Sequence, residues 1–153
     1  MKFDITDINK SVLVDLYQNM LKSRMIEEKM ITLLRQGKIS KWFSGIGQEA
    51  ISTGVTLALN KDEFILPMHR NLSVFTSRNI PLKKLFAQWQ GKEEGFTKGR
   101  DRSFHFGSIE YNIVGMISHL GPQMGVACGI GLSEKLKNSG KISAVFTGDG
   151  GTS

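Results

Sequence analysis

One cysteine, Cys128, stands among 153 residues, which excludes both a disulfide framework and a cysteine-based metal site. Its apolar, glycine-rich surroundings predict a small buried hydrophobe rather than a nucleophile. No apolar run is long enough to cross a bilayer. The opening Met1-Lys2-Phe3-Asp4-Ile5-Thr6-Asp7 has no basic segment leading into an apolar one, and it is not rich in Arg and Ser. Neither a secretory nor an organelle signal is expected, and the cytoplasm is the default location. Also missing are the Gly-x-Ser-x-Gly elbow, the Gly-x-x-x-x-Gly-Lys-Ser/Thr loop and the His-Glu-x-x-His helix. Gly45-Ile46-Gly47 lacks the third glycine of a dinucleotide fingerprint and the acid that follows one. Acidic residues are the scarcer charge, 14 against 20 Lys and Arg, for a net +6. Such an excess suits an anionic partner, but it is spread along the chain with only short clusters such as Lys98–Arg102.

What remains is ordinary for a globular domain, 40% hydrophobic and 22% charged, with no repeat or low-complexity tract. The length allows one domain with a real core. Residues 8–35 read as one long amphipathic helix, with apolar pairs from Val12/Leu13 through Leu16/Tyr17, Met20/Leu21, Met25/Ile26 and Met30/Ile31 to Leu33/Leu34. Gly37 terminates it. A loop runs to Gly47, and a second helix spans Gln48 to about Leu59. Phe64-Ile65-Leu66 is a short strand stopped by Pro67. Pro81 opens a third helix that ends at Gly91. Residues 92–107 read as a polar ordered loop, and 113–120 are ambiguous between strand and loop. Residues 121–137 form a helix despite their glycines, and Ile142–Phe146 is a buried strand. The alternation of helices and strands predicts an α/β fold with a parallel sheet flanked by helices. We divide it into an N-terminal helical extension, 1–40, and an incomplete ligand-binding domain, 41–153.

The chemistry gathers at strand ends. The run ending in Phe146 delivers Gly148-Asp149-Gly150-Gly151-Thr152-Ser153, a carboxylate among glycines that let the backbone approach a ligand. Ligands of open α/β sheets sit beyond the carboxyl ends of the strands. A magnesium-bound phosphate suits this place, because Mg²⁺ takes one or two carboxylates and completes its shell with phosphate oxygens and water. The first strand delivers His69-Arg70, and a guanidinium grips phosphate with two parallel hydrogen bonds. Ser118-His119-Leu120-Gly121-Pro122-Gln123 leads into a helix whose N-terminus favours anions. Gly121, Gly125 and Gly129 leave one face of that helix bare, which admits a flat ligand or a close neighbouring helix, within the chain or between subunits; close packing is the expected cause. Arg100-Asp101-Arg102-Ser103-Phe104-His105-Phe106-Gly107 could stack on bases or line an active-site entrance, with His105 as a proton-transfer group.

Gly47-Gln48-Glu49-Ala50, Pro67-Met68-His69-Arg70, Gly99-Arg100, Ser118–Gln123 and Gly148–Ser153 occur in an order that resembles one enzyme family. It is the α subunit of the thiamine-diphosphate-dependent decarboxylating component of 2-oxo acid dehydrogenase complexes. The branched-chain (2-oxoisovalerate) members look most similar, including those whose α and β parts are fused. The resemblance implies a truncated thiamine-diphosphate-binding fold with a long N-terminal helix. It implies Asp149 as the Mg²⁺ ligand, with Gly148, Gly150 and Gly151 placing backbone along the diphosphate. By the same resemblance Arg70 holds the diphosphate, Ser118 lies near the aminopyrimidine, and Leu120 is the wedge that bends the cofactor. His69 stands where the family usually has Tyr. Ile117, His119, Pro122 and Gln123 fall on a loop that binds K⁺ in some branched-chain members.

The activity so implied is oxidative decarboxylation of a 2-oxo acid, with acyl transfer to the lipoyl group of a partner acyltransferase. A β subunit or fused β part supplies the glutamate that activates the cofactor, so Glu49 is not given that role. Residues past Ser153 would complete the metal motif, and the chain alone is expected to be inactive. An oligomer is expected; membrane and nucleic acid are not expected partners. Pyruvate and acetoin dehydrogenase α subunits are the alternatives within the class. A basic nucleic-acid-binding module is the alternative outside it.

Overall fold

A computed structural model of the chain describes residues 6–101, 103–119 and 121–152. Five helices occur among them: α1 (Lys10–Arg35), α2 (Glu49–Ala58), α3 (Leu72–Ser77), α4 (Leu82–Trp89) and α5 (Pro122–Leu136). Two strands, β1 (Phe64–Leu66) and β2 (Ser143–Val145), pair in parallel with Ile65 opposite Ala144. The chain therefore crosses over between them through α3, α4 and α5, as an α/β fold requires. On the other side of β1, Ile65 N–H donates to Asn112 O and Val114 N–H donates to Ile65 O. Ile113 bridges there alone, and no strand forms over 113–119.

The first helix ends as its sequence predicts. Gly37 takes φ +68°, and Lys38 N–H caps Leu33 O. Its periodicity does not describe its burial, however. Ser23, Ile26, Glu27 and Met30 are buried, while Val12, Val14, Tyr17, Leu21 and Met25 are exposed. The C-terminal half packs on α2 and α3, where Ser23 Oγ lies 2.8 Å from Thr76 Oγ1.

Glu27 joins that half to the loop behind the strands. It is buried, and its two oxygens accept from Trp42 Nε1–H at 2.6 Å and Gly45 N–H at 2.9 Å. A buried carboxylate that receives two donors leaves at least one of them unsatisfied when it is changed. Glu27→Gln turns one acceptor into a donor facing a donor, and it should cost about 2 kcal/mol in urea unfolding of the chain.

Several sequence expectations are corrected. Cys128 is exposed, because α5 presents that face to solvent rather than to the sheet. Ala127 of α5 faces β2 instead, and its carbonyl accepts from Ser143 Oγ at 2.8 Å. A Cβ at Gly121, Gly125 or Gly129 would meet nothing within 4 Å, so no helix packs on that face within the described residues. The run Ile142–Phe146 is half-buried to exposed, not buried. Residues 92–107, read as a polar loop, contribute Phe104 and Phe106 to the core, with Phe96 packed against it.

Candidate functional site

Both strands run parallel, so their carboxyl ends open on the same edge, and a cleft of about 580 Å³ lies there. It is built from five segments. The turn after β1 contributes Met68–Asn71, and the stretch after β2 contributes Phe146–Gly151. Phe43 and Gln48 come from the loop before α2, Met116–His119 from the irregular segment, and Gly121, Gln123 and Met124 from the start of α5. His69, Arg70, Ser118, Gly148, Asp149, Gly150 and Gly151 are thereby brought to one cavity from positions far apart in the chain. His105 does not line it. Its ring stands behind, with Nε2 3.1 Å from His69 Nε2 and Nδ1 3.4 Å from Ser118 Oγ. Leu120 and Ser153 lie outside the described residues.

Three residues with no structural role read from sequence patterns hold the turn after β1. Asn71, buried, accepts at Oδ1 from Met68 N–H (2.8 Å) and donates from Nδ2 to Ser52 Oγ (2.9 Å). Gln123 donates from Nε2 to Pro67 O (2.9 Å), and its Oε1 accepts from Ile117 N–H (3.4 Å). Gln123 therefore ties the end of β1 to the irregular segment. Gly45 is the third, since a Cβ there would run into the carbonyl oxygen of Arg70. Asn before an apolar run is a readable start signal for α3. The other two depend on contacts distant in sequence, and no local pattern announces them.

The contrast between two glycines tests this. Gly45→Ala must move the Arg70 backbone, and it should cost about 1–3 kcal/mol as an overpacked site does. Gly54, inside α2, has open space around its would-be Cβ. Gly54→Ala should instead stabilise by about 0.5–1 kcal/mol. Urea unfolding of the two variants beside the parent reads the opposite signs.

Electrostatics at the turn favour anions. Arg70 is exposed and, among the described residues, its guanidinium makes no ion pair. Burial pushes the His69 imidazole below its ordinary value, and the nearby His105, Lys41 and Arg70 add to the effect. The neutral ring rests against Phe43, with centroids 4.4 Å apart. Across the cleft, Asp149 opens a tight turn of 3-10 type, Asp149–Gly151. A Cβ at Gly151 would strike the Thr147 side chain, whereas one at Gly148 would meet no protein atom within 4 Å. Gly121 starts α5 at φ +94°, a backbone conformation that a Cβ would strain. No group of three or more His, Cys, Asp or Glu able to hold a metal occurs among the described residues. A cation here would draw on one carboxylate, its ligand's oxygens and water, as Mg²⁺ does.

Glu49 sits away from this chemistry, paired with Arg24 at 2.7 Å and accepting from Gly47 N–H at 2.9 Å. No helix among the described residues is long and apolar enough to cross a membrane.

Comparison with known proteins adds the family context. A family model described as dehydrogenase E1 component matches residues 17–153. The α subunit 1 of a mitochondrial 2-oxoisovalerate dehydrogenase from Arabidopsis thaliana is 30% identical over 150 residues, 98% of this chain and 32% of that protein. A pyruvate dehydrogenase E1 component α subunit from Acholeplasma laidlawii is 27% identical, over 94% of this chain and 39% of its own length. An acetoin:2,6-dichlorophenolindophenol oxidoreductase α subunit from Bacillus subtilis is 30% identical, over 88% and 41%. The chain spans about a third of the length of the curated 2-oxoisovalerate relatives it matches.

Proposed function

The chain belongs to the dehydrogenase E1 component family, and from that premise we propose that it forms the diphosphate-binding part of a thiamine-diphosphate-dependent 2-oxo acid dehydrogenase α subunit. The observation that carries the proposal is the single cleft joining Arg70 to the Gly148–Gly151 turn beyond two parallel strand ends. Its residues fit a magnesium diphosphate: one guanidinium, a stretch of backbone without side chains, and one carboxylate. Arg70 would grip the diphosphate, and the backbone at Gly148, Gly150 and Gly151 would lie along it. Asp149 would hold Mg²⁺. Ser118 would face the aminopyrimidine, and His69 would take the place of the usual Tyr. Leu120 keeps its assignment as the wedge between the cofactor's rings. K⁺, where bound, would lean on backbone carbonyls and on Gln123 Oε1, which accepts one hydrogen bond and keeps a second lone pair.

When bound, thiamine diphosphate supplies a stabilised carbanion for decarboxylation; the protein supplies binding, orientation and electrostatics. Here the chain's share is the phosphate and metal side, with a β subunit or fused β part completing the site. The acyl group would pass to a lipoyl group on a partner acyltransferase. We infer a branched-chain 2-oxo acid as substrate because the relatives at 30% and 32% identity include 2-oxoisovalerate dehydrogenase α subunits. The pyruvate and acetoin relatives, at 27% and 30%, keep a second reading within the same class. Full-length protein assembled with its β part and a lipoyl acceptor should turn over 2-oxoisovalerate with a higher kcat/KM than pyruvate. The reverse order would move the assignment to the pyruvate type, turnover of acetoin alone to the acetoin type, and no turnover of any of the three would reject the class.

A further inference from the structure

The chain has three histidines, and two of them touch. His69 and His105 face each other through Nε2 at 3.1 Å, with their rings at 71°, and His105 Nδ1 continues the line to Ser118 Oγ. A bond between two imidazole nitrogens needs one N–H and one bare lone pair. A neutral pair provides this, with Ser118 O–H donating to His105 Nδ1 and His105 Nε2–H donating to His69 Nε2. A pair carrying one extra proton also provides it, with His105 Nδ1–H now donating to Ser118 Oγ. Two extra protons do not: both facing nitrogens would then carry hydrogen, and two cations would stand in contact. The line can hold one added proton and rejects a second.

Its surroundings decide when that proton arrives. Lys41, from the loop before α2, and Arg70, from the turn after β1, face His69, and both are positive. His119 and Asp149 line the same cleft from the segment before α5 and the turn after β2. His69 is half-buried. Burial and like charge therefore oppose protonation while the cleft holds no anion. A diphosphate beside Arg70 reverses the balance, because its negative charge lies in the cleft that His69 and Ser118 line.

We propose that His69 and His105 act as a proton-sharing pair that takes up one proton from solvent when a diphosphate enters the cleft. The inference rests on the diphosphate reading of that cleft. Its sign follows from linkage: the ligand raises the pair's first protonation step, so uptake occurs between the free and liganded midpoints. Diphosphate affinity then falls as pH rises through that window, by at most about tenfold per pH unit.

The test is nuclear magnetic resonance of the full chain carrying ¹³C-labelled histidine rings, titrated with and without excess inorganic pyrophosphate. Ring signals report imidazole protonation directly, whatever protons the pyrophosphate itself exchanges. The expected result is two separated steps, each visible in both the His69 and His105 rings. Pyrophosphate should raise the first by about one to two pH units. His105→Gln should collapse the pattern to a single step at His69, displaced upward because a like charge has gone. Independent single steps in the parent, or steps unmoved at pyrophosphate concentrations that shift the Gly148–Gly151 amide signals, would overturn the proposal, whereas no amide shift there would reject the diphosphate reading itself. A failure of the diphosphate reading looks different: pyrophosphate-induced shifts that survive Arg70→Ala would place the anion elsewhere.

Discussion

Phe104→Ala should destabilise the chain by about 4 kcal/mol, near the upper end of what a single core truncation costs. The ring is fully buried and stacks on Phe75 at 5.1 Å and 29°. Trp42 and Trp89 lie against it at 5.4 and 5.8 Å, each tilted or edge-on. Those four rings come from four segments: the loop before α2, α3, α4 and the stretch after it. Removing one leaves a cavity that the others cannot fill by turning, since each is already held by a neighbour. Trp42 is fixed by its bond to Glu27, and Trp89 packs edge-on against both Phe86 and Trp42. His105 follows directly in sequence, so the same loss should also free the His69–His105 contact. Urea unfolding measures the first effect; a loss of coupled histidine titration reads the second.

The second large effect concerns binding. Arg70→Ala should weaken thiamine diphosphate binding by about 100-fold in the full-length protein assembled with its β part. Charge-assisted, paired hydrogen bonds to phosphate are the strong ones, and a methyl group replaces none of them. Arg70→Lys should recover part of the loss, because a point charge remains while the planar fork is gone. Stability should scarcely change in either variant, since the side chain is exposed and anchors nothing among the described residues. A parallel fall in stability and affinity would instead make Arg70 a structural residue.

Much of this architecture was readable because long periodic segments carry their own signal. The sequence boundaries of α1, α2, α4 and α5 agree with the structure to within about two residues, and both strands fall inside their apolar runs. The short α3 did not show itself. Leu72-Ser73-Val74-Phe75-Thr76-Ser77 mixes β-branched and hydroxyl residues over fewer than two turns, and all six are buried. Tertiary packing decides such a segment, not propensity. The stretch 92–107 misled for the opposite reason. Its lysines and glutamates are conspicuous, while the aromatic residues that anchor it stand singly and acquire meaning only against Phe75 and the two tryptophans. Cys128 misled because a helix against a two-stranded sheet buries only a narrow stripe.

The site divides along the same line. Residues at strand ends were legible, because two parallel strands must deliver Arg70 and Asp149 to one edge. Gly45 and Gln123 were not, since each matters through a partner far along the chain: Arg70 and Pro67. The contact of His69 with His105 belongs with them. Both histidines were candidates separately, and nothing in their spacing of 36 positions joins them.

The most direct measurement is calorimetric titration of thiamine diphosphate into the assembled full-length protein, with and without Mg²⁺, for the parent and for Asp149→Ala. The cleft geometry predicts binding that requires Mg²⁺ in the parent and is lost or severely weakened in the variant. Equal affinity in the presence of a chelator, unchanged by Asp149→Ala, would contradict the assignment of this cleft.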